Sequence, residues 1–234
     1  GCMDIVGGRE VCPHSWPYMA AIKDETSGVF CGGTLVEKQW VLTAVHCEID
    51  ELEDRVVLGA HWASVAEKEQ QIFGVMETFC HHWFDLPCFD NDIMLLKLND
   101  TANLNKYVKL LPLPDSFEDV EPGTLCQVAG WGYTSPGKPS KYLQQATFKI
   151  VNRKNCDKCY AKKAEITKNM LCATGKSKSH PSHTCQGDSG APLICAGQYR
   201  GSVSFGEECG NTSIPGVYTC LTEEYINWIK RTIS

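Results

Sequence analysis

Three side chains far apart in the chain have the types that can make a hydroxyl reactive: His46 in LTAVHC, Asp92 in DNDIMLLKL and Ser189 in TCQGDSGAP. A serine hydroxyl is a poor nucleophile at neutral pH. It becomes useful when an imidazole takes its proton during attack and a buried carboxylate fixes the tautomer and supports the positive charge. Singly, each residue has a plain structural reading: Ser189 a turn, His46 a satisfied core histidine, Asp92 a strand-end cap. Together they pose one spatial question, whether folding brings the three into a single relay.

The elements that must position them are short. GGTLV, WVLTAV, RVVLGA, DIMLLKL, LCQVAGWG, ATFKIV, APLICA, RGSVSFG and GVYTC are β-prone runs punctuated by Gly, Pro, Asn and Asp. Such spacing indicates antiparallel sandwiches or barrels. His46 follows one apolar run and Asp92 opens another. The Pro-rich, acidic LPLPDSFEDVEPG (111–123) reads as a connection between two halves. The end differs: Tyr225, Ile226, Trp228, Ile229 and Ile233 suit one face of a helix after a capping Thr222. Nucleophile–acid–histidine order with G-x-S-x-G, as in α/β-hydrolases, does not fit, because Ala191 stands in place of the last glycine and no strand–helix alternation surrounds it. The Asp…His…Ser order of subtilisins does not fit either.

With 234 residues, 43% of them hydrophobic and 21% charged, the chain can bury a sizeable core. A net charge of −6 argues against a general nucleic-acid binder. No apolar run approaches the roughly 20 residues of a membrane span, so membrane insertion is not expected. Fourteen cysteines favour disulfides and a secreted or granule protein, and the start at GCMD is consistent with a removed leader. Two sequons, beginning at Asn99 and Asn211, fit that route as glycosylation candidates. CDKC (156–159) has the spacing of a redox or zinc motif, but no second C-x-x-C accompanies it, so neither metal nor other cofactor is expected.

IVGG, TAVHC, NDIMLLKL, AGWG, GDSGAP, SFG and PGVYT occur in one order along nearly the whole chain. In this the sequence resembles the chymotrypsin-fold serine peptidases, most closely the granzymes and mast-cell proteases. LNKYVKLLPLP…PGTLCQVAGWG is similar to granzyme A in particular. The resemblance implies an all-β fold of two packed six-stranded antiparallel barrels with a C-terminal helix. Residues 1–4 would be a pro-segment or extra N-terminal residues, 5–110 the first barrel with His46 and Asp92, 111–123 the connection, and 124–234 the second barrel with Ser189 and the helix. His46 would be general base, Asp92 its orienter and Ser189 the nucleophile. The N–H groups of Gly187 and Ser189 would form the oxyanion hole. Expected partners are protein or peptide substrates and protein inhibitors of serine proteases; the alternative is a catalytically inert binding protein on the same fold.

The family pattern also implies disulfides Cys31–Cys47, Cys126–Cys195, Cys156–Cys172 and Cys185–Cys209. For the remainder the expectations are Cys80–Cys88, Cys159–Cys220 and Cys2–Cys12. A granzyme A cysteine matching Cys88 links two subunits. With Cys80 as an internal partner, a monomer is expected instead. The amino group of Ile5, once exposed, would pair with Asp188 and order the oxyanion loop; because GCMD precedes Ile5, the sequence reads as a precursor, opened by removal of Gly-Cys and Met-Asp. The floor of the primary specificity pocket would be His183, followed by Thr184, with Gly206 and Gly216 on the walls and Ser204 and Phe205 on the peptide-binding strand. With no aspartate at the floor, an aromatic or bulky residue, or an acidic or amide one, is expected before the scissile bond rather than Lys or Arg. Glu207 and Glu208 leave the basic option open.

Overall fold

A computed structural model of the chain describes residues 4–5, 8–24, 28–135, 138–161, 163–175, 184, 186–206 and 213–234, with 4–5 and 133–135 described by backbone alone. Two short strands open it, β1 (Asp4–Ile5) and β2 (Gly8–Glu10). Then come β3 (Met19–Asp24), β4 (Gly28–Glu37), β5 (Trp40–Thr43), β6 (Arg55–Leu58), β7 (Gln71–Cys80) and β8 (Met94–Leu98). These six close into a barrel in the order β3-β4-β5-β8-β7-β6.

The second half holds β9 (Leu125–Gly130), the small hairpin β10 (Tyr133–Ser135) and β11 (Lys138–Pro139), β12 (Gln144–Val151), helix α1 (Arg153–Tyr160), β13 (Met170–Gly175), β14 (Pro192–Cys195), β15 (Gln198–Phe205), β16 (Gly216–Cys220) and helix α2 (Glu223–Ile233). The order β12-β13-β16-β15-β14-β9, with β9 also pairing β12, closes a second six-stranded antiparallel barrel. The fold is therefore two packed six-stranded barrels with a C-terminal helix. The N-terminal strands depart from the expected division. β2 pairs with β12, Gln144 opposite Glu10, and β1 pairs with β2, so Asp4–Ile5 and Gly8–Glu10 extend the second barrel's sheet and not the first. Thr222 caps α2, its side chain accepting from the Tyr225 N–H, and Tyr225, Ile226 and Ile229 are buried.

The continuous apolar runs of the first barrel have a physical reason. Strands β5, β6 and β8 are buried on both faces, so their inward and outward residues are both apolar. Leu35, Val41, Val56, Leu58, Met94 and Leu96 fill the barrel interior. Their neighbours Val36, Leu42, Val57, Ile93 and Leu95 face the opposite way, into a core shared with Val128, Trp131, Leu193, Val203 and Tyr218 of the second barrel. Each such side chain contributes roughly 1.5–3 kcal/mol when fully buried. The interbarrel crevice is thus held by the strands that carry the functional residues at their ends.

Among the described residues three disulfides are present: Cys31–Cys47, Cys126–Cys195 and Cys156–Cys172. Two of the other expected pairs do not form. Cys80 ends β7 opposite Met94, and its Sγ lies 3.6 Å from the Met94 Sδ. The loop that Cys80–Cys88 was to close is held instead by an Asp85–Asp90 backbone bridge and by Asn91, whose Nδ2 donates to the Trp83 carbonyl at 2.9 Å. Cys159 is exposed on α1, with its thiol toward the Asn155 carbonyl at 3.4 Å, whereas Cys220 is buried at the end of β16. Burial pushes the Cys220 thiol up, opposed by the Arg153 guanidinium beside it. Cys2, Cys185 and Cys209 lie outside the described residues, and with them the Cys2–Cys12 and Cys185–Cys209 pairings, as do His183, Glu207, Glu208 and Asn211.

Candidate active site

β5 ends at Thr43, and the chain turns at once into a single 3-10 turn, Val45–Cys47. Glu48 closes that turn in the left-handed region (φ 50°), its N–H donating to the Val45 carbonyl. Cys47, tied to Cys31 on β4, pins the turn to the barrel wall. His46 is thereby projected into the crevice with its side chain 19% exposed.

Asp92 comes from the segment before β8 and is fully buried. A buried carboxylate requires donors, and this one has three. The His46 N–H reaches Oδ1 at 3.0 Å, while His46 Nδ1 and the Ser204 hydroxyl both lie 2.6 Å from Oδ2. The Thr219 hydroxyl also donates to the Asp92 carbonyl at 3.0 Å. Because a carboxylate accepts, Nδ1 carries the imidazole proton and Nε2 is left as the acceptor. Ser189 Oγ sits 2.8 Å from that Nε2. The three residues singled out by type are thus one connected relay.

The turn that presents Ser189 is locked from several sides. Its carbonyl accepts from the Gly32 N–H at 2.7 Å, and the Gly190 N–H donates to the Val203 carbonyl at 2.8 Å. A side chain at Gly190 would overlap Thr43 Oγ1 and the Gly32 carbonyl, and Gly190 has φ +83°, so only glycine suits this close approach. Gly187 has φ +94°, and a Cβ there would lie 3.0 Å from the Gly132 Cα. Neither the Gly187 N–H nor the Ser189 N–H is taken by an acceptor among the described residues. Asp188 turns its carboxylate away from the crevice, between Gly130 and Gly132, and accepts from the Gly132 N–H at 2.9 Å. Ile5, its expected partner, is described by backbone alone, in a β1–β2 pairing opposite Gly8.

Thr184, Gly206 and Gly216 come together. A Cβ at Gly216 would lie 3.5 Å from Thr184 Oγ1 and 3.5 Å from the Tyr218 hydroxyl; at Gly206 the nearest atom is the Gly216 Cα at 3.8 Å. Two bare glycines therefore face each other beside Thr184. Ser204 lies in β15, the strand expected to pair with a peptide, and its hydroxyl has a second task. Its side chain is buried and turned onto Asp92, so it cannot offer that hydroxyl to a substrate. Phe205 remains half-buried at the crevice.

Phe89 was not legible as a site residue. Its ring stands edge-on to His46 (centroids 5.5 Å apart) and 5.2 Å from Phe205, which in turn meets Tyr160 of α1 at 5.5 Å. Phe89 and Asn91 hold positive φ values of 53° and 57°, uncommon for residues with side chains, on either side of Asp90. An aromatic ring three positions before an aspartate is the one signal in the sequence, and it does not by itself tell a wall from a core filler. Among the described residues there is no group of three side chains able to hold a metal ion, and no helix long and apolar enough to cross a membrane.

A family model described as Trypsin matches residues 5–229. The chain is 41% identical to granzyme A of Bos taurus, covering 100% of this chain and 89% of the relative. It is 39% identical to granzyme B(G,H) of Mus musculus over 98% of this chain and 91% of that one. Mast cell protease 3 of Ovis aries is 40% identical over 98% and 89%. Among solved structures, mouse neuropsin, titled a serine protease expressed in the limbic system of mouse brain, superposes with a TM-score of 0.86 at 36% identity, covering 97% of this chain and 99% of that one.

Proposed function

Because the chain belongs to the trypsin family, to which its likeness to granzymes, a mast cell protease and the serine protease neuropsin also points, we propose that it is a serine endopeptidase working through His46, Asp92 and Ser189. The observation that carries this is the unbroken path Ser189 Oγ–His46 Nε2 (2.8 Å), His46 Nδ1–Asp92 Oδ2 (2.6 Å). His46 takes the Ser189 proton as Oγ attacks the substrate carbonyl. The oxyanion that forms is met by the untaken N–H groups of Gly187 and Ser189, one such donor being worth about 2.7–4 kcal/mol in related chemistry. The imidazolium, held by buried Asp92, then protonates the leaving amine, and water releases the acyl group from Ser189. The test is covalent labelling by a fluorophosphonate. Labelling of the trimmed protein at Ser189, lost in Ser189→Ala, is expected; an unlabelled Ser189 rejects the reading.

Specificity follows from the facing glycines 206 and 216, which leave room for a large side chain beside Thr184. His183 supplies no fixed negative charge. An aromatic or bulky residue before the scissile bond, or an acidic or amide one, is favoured over Lys or Arg. A histidine near its ordinary pKa of about 6.5 would favour Glu more as the pH falls toward 6. Profiling with a peptide library across that range decides; a dominant Arg or Lys preference refutes this pocket. Cleavage of the bond before Ile5 supplies its ammonium, which pairs with Asp188 and orders the 187–189 turn. N-terminal sequencing of active enzyme that begins at Gly1 would rule that step out. The relatives' names are those of granule and secreted proteases, and the same route is inferred for this chain, with protein substrates and protein inhibitors. Because Cys80 does not pair with Cys88, the ground for expecting a monomer falls away.

A further inference from the structure

Outside the crevice, one surface of the first barrel pairs two features that the catalytic reading leaves unused. On β7, Phe73 and Val75 point into the barrel interior. The alternate residues face outward, and two of them are large and apolar: Ile72 is 57% exposed and Met76 52%. Gly74 lies between them, so the strand carries an exposed apolar stripe with a bare centre. Large apolar side chains clustered on an outer face mark a surface that something covers.

Asn99 lies over that centre. It follows β8 and is the first residue of the Asn99-Asp100-Thr101 sequon, all three residues exposed. Its main-chain N–H donates to the Gly74 carbonyl at 3.0 Å, and its Oδ1 accepts from the Gly74 N–H at 3.1 Å. The side-chain amide is thus laid flat against the strand. Nδ2 has no protein acceptor among the described residues, and it would be only 3.2 Å from a Cβ at Gly74. A side chain at 74 would crowd this nitrogen; glycine leaves it open. A sugar on Nδ2 would stand over the bare centre at Gly74, with Ile72 about 7 Å away along the same face and Met76 on the bulge that follows Val75.

We propose that Asn99 carries an N-linked glycan whose first sugars cover the Ile72–Gly74–Met76 stripe. In the transfer, Nδ2 bonds to C1 of the first N-acetylglucosamine of a lipid-diphosphate-linked oligosaccharide. The C1–O bond to the diphosphate breaks, the lipid diphosphate leaves with the electron pair, and Nδ2 gives up one proton. The hydroxyl of Thr101 completes the acceptor motif. Asp92 precedes β8 and Asn99 follows it, which separates the glycan from the relay by about 20 Å of strand. The proposal rests on the secretory route inferred above.

The test uses the full chain, expressed in cultured animal cells behind a secretory leader, which delivers it to the transferase whatever its natural route. Treatment of the secreted protein with peptide-N-glycosidase should lower its mass and convert Asn99 to aspartate. Thr101→Ala should lose the Asn99 conversion and Thr101→Ser keep it, while both, once cleaved before Ile5, hydrolyse a short peptide substrate as fast as the parent. An unmodified Asn99 in the secreted protein overturns the acceptor site without touching the route. For the covering role, the Thr101→Ala protein should bind more of a hydrophobic dye than the glycosylated parent, and adding Ile72→Thr and Met76→Thr should reverse the rise. Equal dye binding with and without the glycan overturns the covering role.

Discussion

At the scale of single residues, the buried Asp92 carboxylate governs the site. It receives the His46 N–H, His46 Nδ1 and the Ser204 hydroxyl, and its own backbone is held by Thr219. Ser204 is therefore a positioning residue. Residue type, order and flanking motifs singled out His46, Asp92 and Ser189, and folding brings the three within hydrogen-bonding distance. The same signals were not enough for Ser204, since a serine in a β-prone run carries no sign of which way it faces. Ser204→Ala removes one hydrogen bond to a charged group, of about 1.5–3 kcal/mol. The carboxylate keeps its other two donors, so only part of that loss should reach the transition state. A fall in kcat on the order of ten-fold, with KM nearly unchanged, is expected. Steady-state kinetics on a small peptide substrate checks it; a change confined to KM would place Ser204 on the substrate instead.

At the scale of elements, the segment 81–91 decides where Asp92 sits. His81 is 3% exposed and donates its N–H to the Ile93 carbonyl at 3.1 Å. Its ring meets His82, Trp83, and Tyr225 and Trp228 of α2. The Tyr225 hydroxyl donates to Asn91 Oδ1 at 2.9 Å, so helix, histidine and the residue before Asp92 form one packed unit. Burial first, and then the neighbouring His82, hold the His81 pKa below its ordinary value, with Glu224 and Asp90 opposing. A histidine kept neutral in the fold binds fewer protons there than in the unfolded chain. Stability that is full above the unfolded pKa of about 6.5 is lost as the pH falls through the lower folded value. Thermal melts from pH 7.5 to 5 should show this decline, and His81→Phe should flatten it. A wild-type melting temperature constant over that range refutes the assignment. The helix was legible from its spacing and cap. The loop was not, because two cysteines flanking a loop suggest a bridge, whereas what holds this one is a backbone bridge and an asparagine at positive φ.

At the scale of the whole molecule, the two-barrel plan was readable because strands buried on both faces must be apolar throughout, and WVLT, RVVL and MLLKL are nearly so. The attachment of β2 to the second barrel was not, since strand pairing depends on which edge is open, and three residues do not encode that. Charge is a property of the same scale. With 28 acidic against 22 basic side chains the net is −6, and five of the acids fall within Glu48–Asp54, just after His46. A polyanion approaching the crevice meets repulsion from both the total and the local charge. At physiological salt the screening length is about 8 Å, so only a compact basic patch could reverse this. Eight of the 22 basic residues fall within Arg153–Lys178, but Arg153 is paired with Asp119 and the acids Asp157 and Glu165 lie among them. Elsewhere some lysines are engaged with aromatic rings, as Lys97 is with Trp40 and Lys106 with Tyr107. The protein should therefore leave a heparin column at or below about 0.15 M salt. Retention well above that concentration would mean that a basic surface forms which the net charge conceals, and storage on an anionic matrix would again fit. Early elution, with activity intact, would require any granule packing to use contacts other than electrostatic ones.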